Sequence, residues 1–337
     1  MSDHRVLSGF GVGSVLSWVA VFYLATGTAG ATCGATQCFL VTGTQEGTGA
    51  RGRLTVDLSY RYVVQSRRLA GTDDVAEVLT PKVSFEEGLL EPDHHREIRT
   101  QNSLVQLDLT WGATDRLAIA ASLPLRVERD HEHDDEVGTP DEHFTRDDGA
   151  QGFGDARIGV RLAFLAGPRS LLVGGLGLKL PTGQYRLRDG EGSINEPTLQ
   201  PGSGSTDVVT SLYYALQIGE GASEAFASAS HSLNRENSLD YAIGDVTTLA
   251  LGVNRRTGRG ATWSAQLNGR RGARDEFLGE AVPSTGSLLV NLTPGLRLAM
   301  GEAAVLYGYL QVPVYQRVNE AQLAPRTGLV LGVSRAW

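Results

Sequence analysis

Lysine is nearly absent from this chain of 337 residues, so arginine carries most of the positive charge; the two lysines are Lys82 and Lys179. Acidic residues outnumber basic residues by 38 to 30, and the net charge is -8. The basic residues form no cluster anywhere along the chain. This balance argues against nucleic acid as a partner, because binding to a phosphate backbone depends on a basic patch.

Long apolar runs are missing beyond the N-terminus, although a helix needs about 20 apolar residues to cross a bilayer. The N-terminal apolar stretch, residues 6–25, follows a short head with one arginine and precedes the small-residue sequence Ala29–Ala31. This order predicts a signal peptide over residues 1–31, cleaved after Ala31. A retained anchor helix is the alternative, and Gly11 and Gly13 disfavour it.

Cysteine is also scarce, and both cysteines, Cys33 and Cys38, follow the predicted cleavage point closely. In an oxidising compartment this pair predicts a local disulfide, since a metal site would need further thiols nearby. We expect residues 32–52 to form an N-terminal arm that lies in the periplasm or inserts into the lumen of the domain that follows. The apolar sequence Phe39–Val41 requires such shelter.

From Arg53 onwards the sequence alternates between apolar and polar residues, as in "RLTVDLSYRYVV". A period of two residues predicts a strand with one apolar and one polar face. The pattern recurs to the C-terminus in about twelve segments. We therefore predict an all-β domain over residues 53–337.

The linkers between these segments fall into two sets that alternate along the chain. One set is short, as in "GATD" and "AGPR", and the other includes long stretches such as 65–101, 128–152 and 315–325. Short turns at one end and long loops at the other are typical of outer-membrane barrels, which also have an even number of strands. The sequence thus predicts a closed antiparallel transmembrane β-barrel of about twelve strands in the outer membrane of a Gram-negative-type bacterium.

The last predicted strand ends on an aromatic residue, Trp337. Such an ending is usual in barrels that the outer-membrane assembly machinery inserts, so we expect that machinery to be a partner. Arg335 departs from the usual pattern, because an apolar or aromatic residue is common at its position. Membrane lipid and lipopolysaccharide are the other expected partners of the barrel surface.

The polar faces of the predicted strands point into the lumen if the apolar faces meet lipid. Eight basic and four acidic residues fall on these faces, and we predict that they line the pore: Arg61, Arg116, Arg126, Arg157, Arg161, Lys179, Arg270 and Arg297, with Asp57, Asp108, Asp155 and Asp207. Each of these residues has an alternative interpretation as one half of an ion pair that only fills the barrel.

Four motifs occur in a fixed order: "WGATDRLAIAASLPL", "GFGDARIGVRLAF", "GLGLKLPTG" and "QPGSGSTD". Together they resemble the outer-membrane barrel family named for the meta-pathway of phenol degradation, over roughly residues 104–215. The resemblance implies a transporter of small molecules across the outer membrane. It brings no catalytic residue to this chain, and we predict no cofactor.

An acidic stretch with histidines, "RVERDHEHDDEVGTPDEHFTRDDGAQGFGD", runs from Arg126 to Asp155. We interpret it as a solvated external loop. Histidine and carboxylate ligands also suit a metal, so the alternative is a metal site. Its ligands would be His131, His133 and His143, with His94 and His95 able to join them.

The favoured function is a channel for small solutes with a mild preference for anions, because the inward basic residues outnumber the inward acids. The family resemblance adds aromatic acids as candidate solutes. One alternative is a lipid-hydrolysing barrel enzyme, which "SASHSLNREN" suggests through His231 and Ser232. Adjacent strand residues point to opposite faces, which argues against this pair. The other alternative is a plugged structural or adhesive barrel.

Overall fold

The computed structural model describes residues 47–146, 148–258, 260–301 and 303–337. The predicted signal peptide, the Cys33–Cys38 disulfide and most of the N-terminal arm lie outside the described residues. Within the described part of the chain, none of the elements is a helix long and apolar enough to span a bilayer.

Nineteen strands occur in the described residues, and twelve of them are long. In chain order they are β1 (Leu54–Ala70), β2 (Asp73–Asp74), β3 (Leu79–Ser84), β4 (Leu89–Gly112), β5 (Leu117–Asp135), β6 (His143–Thr145), β7 (Ala150–Gly152), β8 (Arg157–Ala166), β9 (Ser170–Lys179), β10 (Asp207–Ile218), β11 (Ser223–Leu233), β12 (Tyr241–Ala242), β13 (Val246–Thr257), β14 (Ala261–Gly272), β15 (Glu276–Phe277), β16 (Glu280–Ala281), β17 (Ser287–Met300), β18 (Ala304–Val318) and β19 (Ala321–Ala336).

The twelve long strands form one closed antiparallel barrel. Each pairs with the next long strand along the chain, and β1 closes the ring by pairing with both β4 and β19. The short strands β2, β3, β6 and β7 extend this sheet at one end, and β12, β15 and β16 form a separate small sheet. Backbone hydrogen bonds between Leu54 and Trp337, of 2.9 and 3.3 Å, hold the two termini of the barrel together. The predicted twelve-stranded barrel is confirmed.

Apolar side chains cover the outside of the barrel. Alternate residues of every long strand point outward, and many of these are exposed apolar residues, including Leu58, Val160, Leu176, Leu212, Leu251, Leu267, Leu292, Leu310 and Leu331. The intervening residues point inward, and many of them are buried and polar, including Asp57, Ser59, Thr110, Gln266, Asn268 and Thr293. This arrangement suits lipid outside and a polar lumen inside. The chain is a transmembrane barrel of the outer-membrane type.

The two ends of the barrel differ, as the sorted linkers predict. Short turns join the strands at the end that also holds Leu54 and Trp337, and we call this the turn end. Most connections at the opposite end, the loop end, are longer. The prediction of a long loop over residues 315–325 is wrong, because β18 continues to Val318 and β19 begins at Ala321. A tight turn joins them, in which Glu320 has a φ of 41°.

Three strands also continue into segments predicted as loops: β1 to Ala70, β4 from Leu89 and β5 to Asp135. On β5 the outward positions of this extension are Arg126, Glu128, Asp130, Glu132 and Asp134, all charged. These extensions therefore stand beyond the apolar belt. Since both of their faces are polar, they lack the apolar alternation that revealed the other strands.

Candidate functional site in the barrel interior

Most of the predicted pore-lining residues lie on the inner face of the barrel. Paired residues on neighbouring strands share a face, and register places Arg157 opposite Ser122 and Lys179. Lys179 and Arg270 are buried, with 5% and 1% exposure. The strand residues on this face are Asp57, Arg61, Asp108, Arg157, Arg161, Lys179, Asp207, Arg270 and Arg297. Asp155 is buried in the loop just before β8.

Arg116 and Arg126 do not lie with this inner set. Arg116 is exposed in the turn before β5. Arg126 follows a bulge, because Val105 pairs with Arg126 whereas Gln106 pairs with Pro124. The extra residue, Leu125, reverses which residues face inward. The Arg126 side chain therefore lies on the outer face, 57% exposed.

Polar contacts cross-link the inner wall. The Tyr307 hydroxyl donates to Asp57 at 2.7 Å, and Arg61 lies 4.0 Å from Asp108. Asp108 also accepts hydrogen bonds from Gln106 at 2.8 Å and from Ser122. These contacts connect β1, β4, β5 and β18 across the inner wall.

Lys179 anchors the long loop between β9 and β10. Its ammonium lies 3.3 Å from Asp155 and forms a shorter ion pair with Asp207. Asp155 accepts the backbone N–H groups of Gly183 at 3.0 Å and Ser203 at 2.8 Å. The two ends of this loop, residues 180–206, are therefore fastened to the inner wall.

Three glycines make this anchor possible. A Cβ at Gly183 would lie only 2.7 Å from the Gly202 Cα and 2.9 Å from the Gly154 carbonyl carbon. Side chains have no room where three backbones approach so closely. The motifs "GFGD", "PTG" and "QPGSGSTD" thus meet in space and hold the loop.

A cavity of about 250 Å³ lies against the inner wall formed by β5, β8, β9 and β10. Small inward residues leave this space open, including Ala120, Gly159, Gly175, Gly177 and Ser211. Arg157 and Arg161 also line it and are the charged residues among its described lining. The arrangement offers a polar, positively charged chamber inside the belt.

Aromatic residues share the inner face with these charges. Tyr213 and Phe226 pack with Ala163, Val173 and Ala215 in one buried cluster. Tyr307, Tyr309 and Val330 form a second cluster on neighbouring strands. Buried aromatic side chains therefore fill part of the barrel interior, although the sequence predicted the inner face as polar.

Four histidines meet at the loop end: His94 and His95 from β4, and His131 and His133 from β5. Successive ring centroids lie 4.9 Å apart for His94 and His95, 4.4 Å for His95 and His133, and 4.7 Å for His131 and His133. All four are buried. The bulge at Leu125 explains the β5 pair, because it turns the odd-numbered residues beyond it inward.

Carboxylates surround this histidine cluster. Both His94 Nδ1 and His95 Nε2 approach Asp135 Oδ1, at 2.8 and 3.1 Å. His131 Nε2 lies 3.6 Å from Glu97, and His133 Nε2 lies 3.3 Å from an oxygen of Asp148. The histidines, Glu97 and Asp135 thus lie on the paired strands β4 and β5, whereas Asp148 lies between β6 and β7.

Burial and neighbouring charge move the pKa values in this cluster, which stands beyond the membrane belt. Glu196, in the loop between β9 and β10, lines a loop-end cavity together with His95 and His133, and burial raises its pKa to about 7. Burial and the adjacent rings of His131 and His95 lower the pKa of His133 to about 2, so His133 is neutral. Burial opposes ionisation of Asp135, but the close approach of the His94 and His95 ring nitrogens and the positive charge of Lys82 outweigh it and depress the Asp135 pKa. Asp135 is therefore ionised at neutral pH.

The predicted metal ligands take different positions. His131 and His133 belong to the buried cluster, whereas His143 is exposed on β6 and lies near Asp135 and Glu191. Instead, His94, His95 and Asp135 place three ligand atoms within 4.8 Å of one another. The role of Asp135 was missed, because the stretch around it was interpreted as a loop without fixed geometry.

His231 and Ser232 do not contact each other. His231 Nδ1 lies 2.9 Å from the Thr247 hydroxyl, and Ser232 donates to Asn234 at 2.6 Å. A nucleophile and its base must be within hydrogen-bond reach, so this pair has no catalytic geometry.

No protein-family model matches the chain, and no curated protein matches its sequence. Among solved structures, an outer membrane channel from Pseudomonas putida F1 is 15% identical, with a TM-score of 0.61, over 88% of this chain and 100% of that one. The toluene transporter TbuX of Ralstonia pickettii is 12% identical over 85% of this chain and 90% of that one, with a TM-score of 0.41. The first similarity shows a shared barrel fold. Membership of the meta-pathway family stays a prediction.

Proposed function

We propose that this barrel is an outer-membrane channel for small solutes, with a mild preference for anions and with aromatic acids as its solutes. The cavity lined by Arg157 and Arg161 is the observation that carries the proposal. It lies inside the belt, where small residues on four neighbouring strands leave space for a solute. The shared fold with a solved outer membrane channel also supports a channel.

The two arginines support the anion preference. Basic side chains in a pore favour anions, and low-dielectric walls focus their potential. Because Arg116 and Arg126 do not lie on the inner face, six of the eight predicted basic residues remain in the inner set, against four acidic residues. Since Asp135, Asp189 and Glu191 line a cavity at the loop end and oppose anions there, we expect the preference to be mild.

Aromatic residues also lie inside the barrel, although none of them is among the described residues that line the cavity. Tyr213 and Phe226 pack in a buried cluster beside it, and Tyr213 follows Ser211 by two residues along β10. An aromatic carboxylate would place its charge at Arg157 and Arg161. The family resemblance points to the same class of solute.

Single-channel recording in a planar bilayer tests conduction. We expect wild-type protein to conduct and Ser211→Phe to lower the conductance, because Ser211 lines the cavity and a phenyl group would fill it. The matched control is Leu212→Phe, since Leu212 is the next residue and is 49% exposed on the outer face. Equal conductance for the two variants would remove the cavity from the conduction path.

Reversal potentials under a salt gradient test the anion preference. We expect Arg157→Glu combined with Arg161→Glu to shift selectivity toward cations, because both side chains line the cavity. Arg126→Glu is the control, since Arg126 lies on the outer face. A wild-type preference for cations, or an unchanged potential in the double variant, would contradict the prediction.

A plugged barrel is the second candidate. The anchored loop 180–206 and the contacts across the inner wall favour it. In that case the wild-type protein would show no conductance and no solute uptake into vesicles. Binding of lipopolysaccharide to the charged outer rim, and recognition of the last strand by the assembly machinery, are further parts of the proposal.

A further inference from the structure

The histidine cluster contains a more specific arrangement than a solvated loop requires. His94 Nδ1 and His95 Nε2 converge on the same oxygen of Asp135. All three residues are buried, at 8%, 5% and 4% exposure. Two imidazole nitrogens and one carboxylate oxygen within 4.8 Å of one another form a donor set that divalent transition metals accept.

The backbone is bent where it delivers these side chains. Neighbouring strand residues normally point to opposite faces, yet His94 and His95 both reach Asp135. Asp93, immediately before them, has a φ of 53°, and Glu136, immediately after Asp135, has a φ of 55°. Left-handed backbone is uncommon for residues other than glycine, although aspartate adopts it more readily than most, and such residues cluster at functional sites.

The outer nitrogen of His94 has carboxylate neighbours. Its Nε2 lies 3.3 Å from Glu91 and 3.5 Å from Glu136. Metal-bound histidines usually donate their second N–H to a carboxylate, which fixes the tautomer and orients the ring. His94 is therefore oriented with Nδ1 toward the potential metal position.

His133 adds an imidazole without a hydrogen bond. Its side chain is 1% exposed, and neither ring nitrogen makes a hydrogen bond with another described residue. The ring lies 4.4 Å from that of His95, between centroids, and its Nε2 approaches Asp148 at 3.3 Å. A buried imidazole left in this state indicates a site that is completed by a ligand.

We propose that His94, His95 and Asp135 bind one divalent transition-metal ion, with Zn²⁺ as the probe of choice, at the loop end of the barrel. Three protein ligands leave a further position for water. The Lys82 ammonium lies 3.8 Å from the other oxygen of Asp135. The positive charge of Lys82 weakens metal binding, but Asp135 Oδ1 remains directed at the two histidines. The ion would tie the extension of β4 to that of β5, and this proposal does not depend on conduction.

Zinc titration of the full chain in detergent, after chelator treatment, tests the site. Competition with a chromophoric chelator should show one tightly bound ion per chain. We expect His95→Ala and Asp135→Asn each to weaken binding by at least about tenfold, the scale seen when support for a metal site is lost. His231→Ala is the control, because His231 lies on β11 beside Asp245, away from the three-residue site.

Heat-modifiable migration on a gel verifies that each variant has folded. X-ray absorption of zinc-loaded wild-type protein gives a second readout that needs no variant, and we expect two imidazole ligands. Absence of bound zinc, a shell of oxygen ligands alone, or an equal loss in His231→Ala and His95→Ala would overturn the proposal. Displacement of the zinc by excess Mg²⁺ would also overturn it, because magnesium prefers oxygen ligands.

Discussion

At the scale of single residues, Lys179 shows why one of the two lysines occupies the barrel interior. An ammonium is a compact donor of three hydrogen bonds. At Lys179 it is within reach of Asp155, Asp207 and Ser205, and all of these residues are buried. Because Asp155 also holds the loop backbone, this one charge connects the wall to the loop.

Replacing Lys179 with methionine should destabilise the barrel strongly. The substitution keeps most of the volume but leaves Asp155 and Asp207 as uncompensated buried charges. Breaking a buried pair in this way costs about 3–5 kcal/mol. Urea unfolding in lipid vesicles, followed by tryptophan fluorescence, measures the change.

The matched control for Lys179→Met is a triple variant that also carries Asp155→Asn and Asp207→Asn. Neutral amides remove the unpaired charges, so the triple variant should recover a large part of the lost stability. If Lys179→Met unfolds at the wild-type urea concentration, the ion pairs contribute little to the barrel.

At the scale of elements, contact with lipid determines which strands, and which of their faces, the sequence alone can predict. Within the belt, outward residues must be apolar, so Arg157 and Arg161 on β8 could be assigned to the inner face from their spacing. Beyond the belt, both faces meet water and the spacing carries no such signal. For this reason the extension of β5 and the tight turn before β19 were predicted as loops.

The bulge at Leu125 has the largest effect on the candidate sites. One inserted residue sends Arg126 outward and brings His131 and His133 inward. A bulge depends on how two strands pair, so the alternation of apolar and polar residues within one strand does not predict it. The convergence of Gly154, Gly183 and Gly202 was likewise hidden, because contacts between distant motifs depend on how the loop folds.

At the scale of the whole molecule, closure of the barrel brings its first strand, β1, beside its last, β19. Gly52 donates its N–H to the Gly112 carbonyl at 2.7 Å, and a Cβ on Gly112 would collide with Ala50. The described part of the N-terminal arm therefore packs at the turn end, beside the strand that pairs with both β1 and β5. The described residues of the arm therefore lie at the opposite end of the barrel from the histidine cluster.

The apolar belt predicts how the molecule responds to charge on its outer face. Leu251, midway along β13, is 60% exposed and pairs with outward-facing Leu267. In a lipid bilayer, Leu251→Arg should lower the free energy of unfolding by about 2–4 kcal/mol, whereas the same change near an interface costs about 0–1 kcal/mol. Leu233→Arg is the matched control, because Leu233 is also outward-facing, 46% exposed, but lies at the loop end of β11. Unfolding in vesicles measures both, and equal losses for the two variants would mean that lipid does not surround the barrel at Leu251.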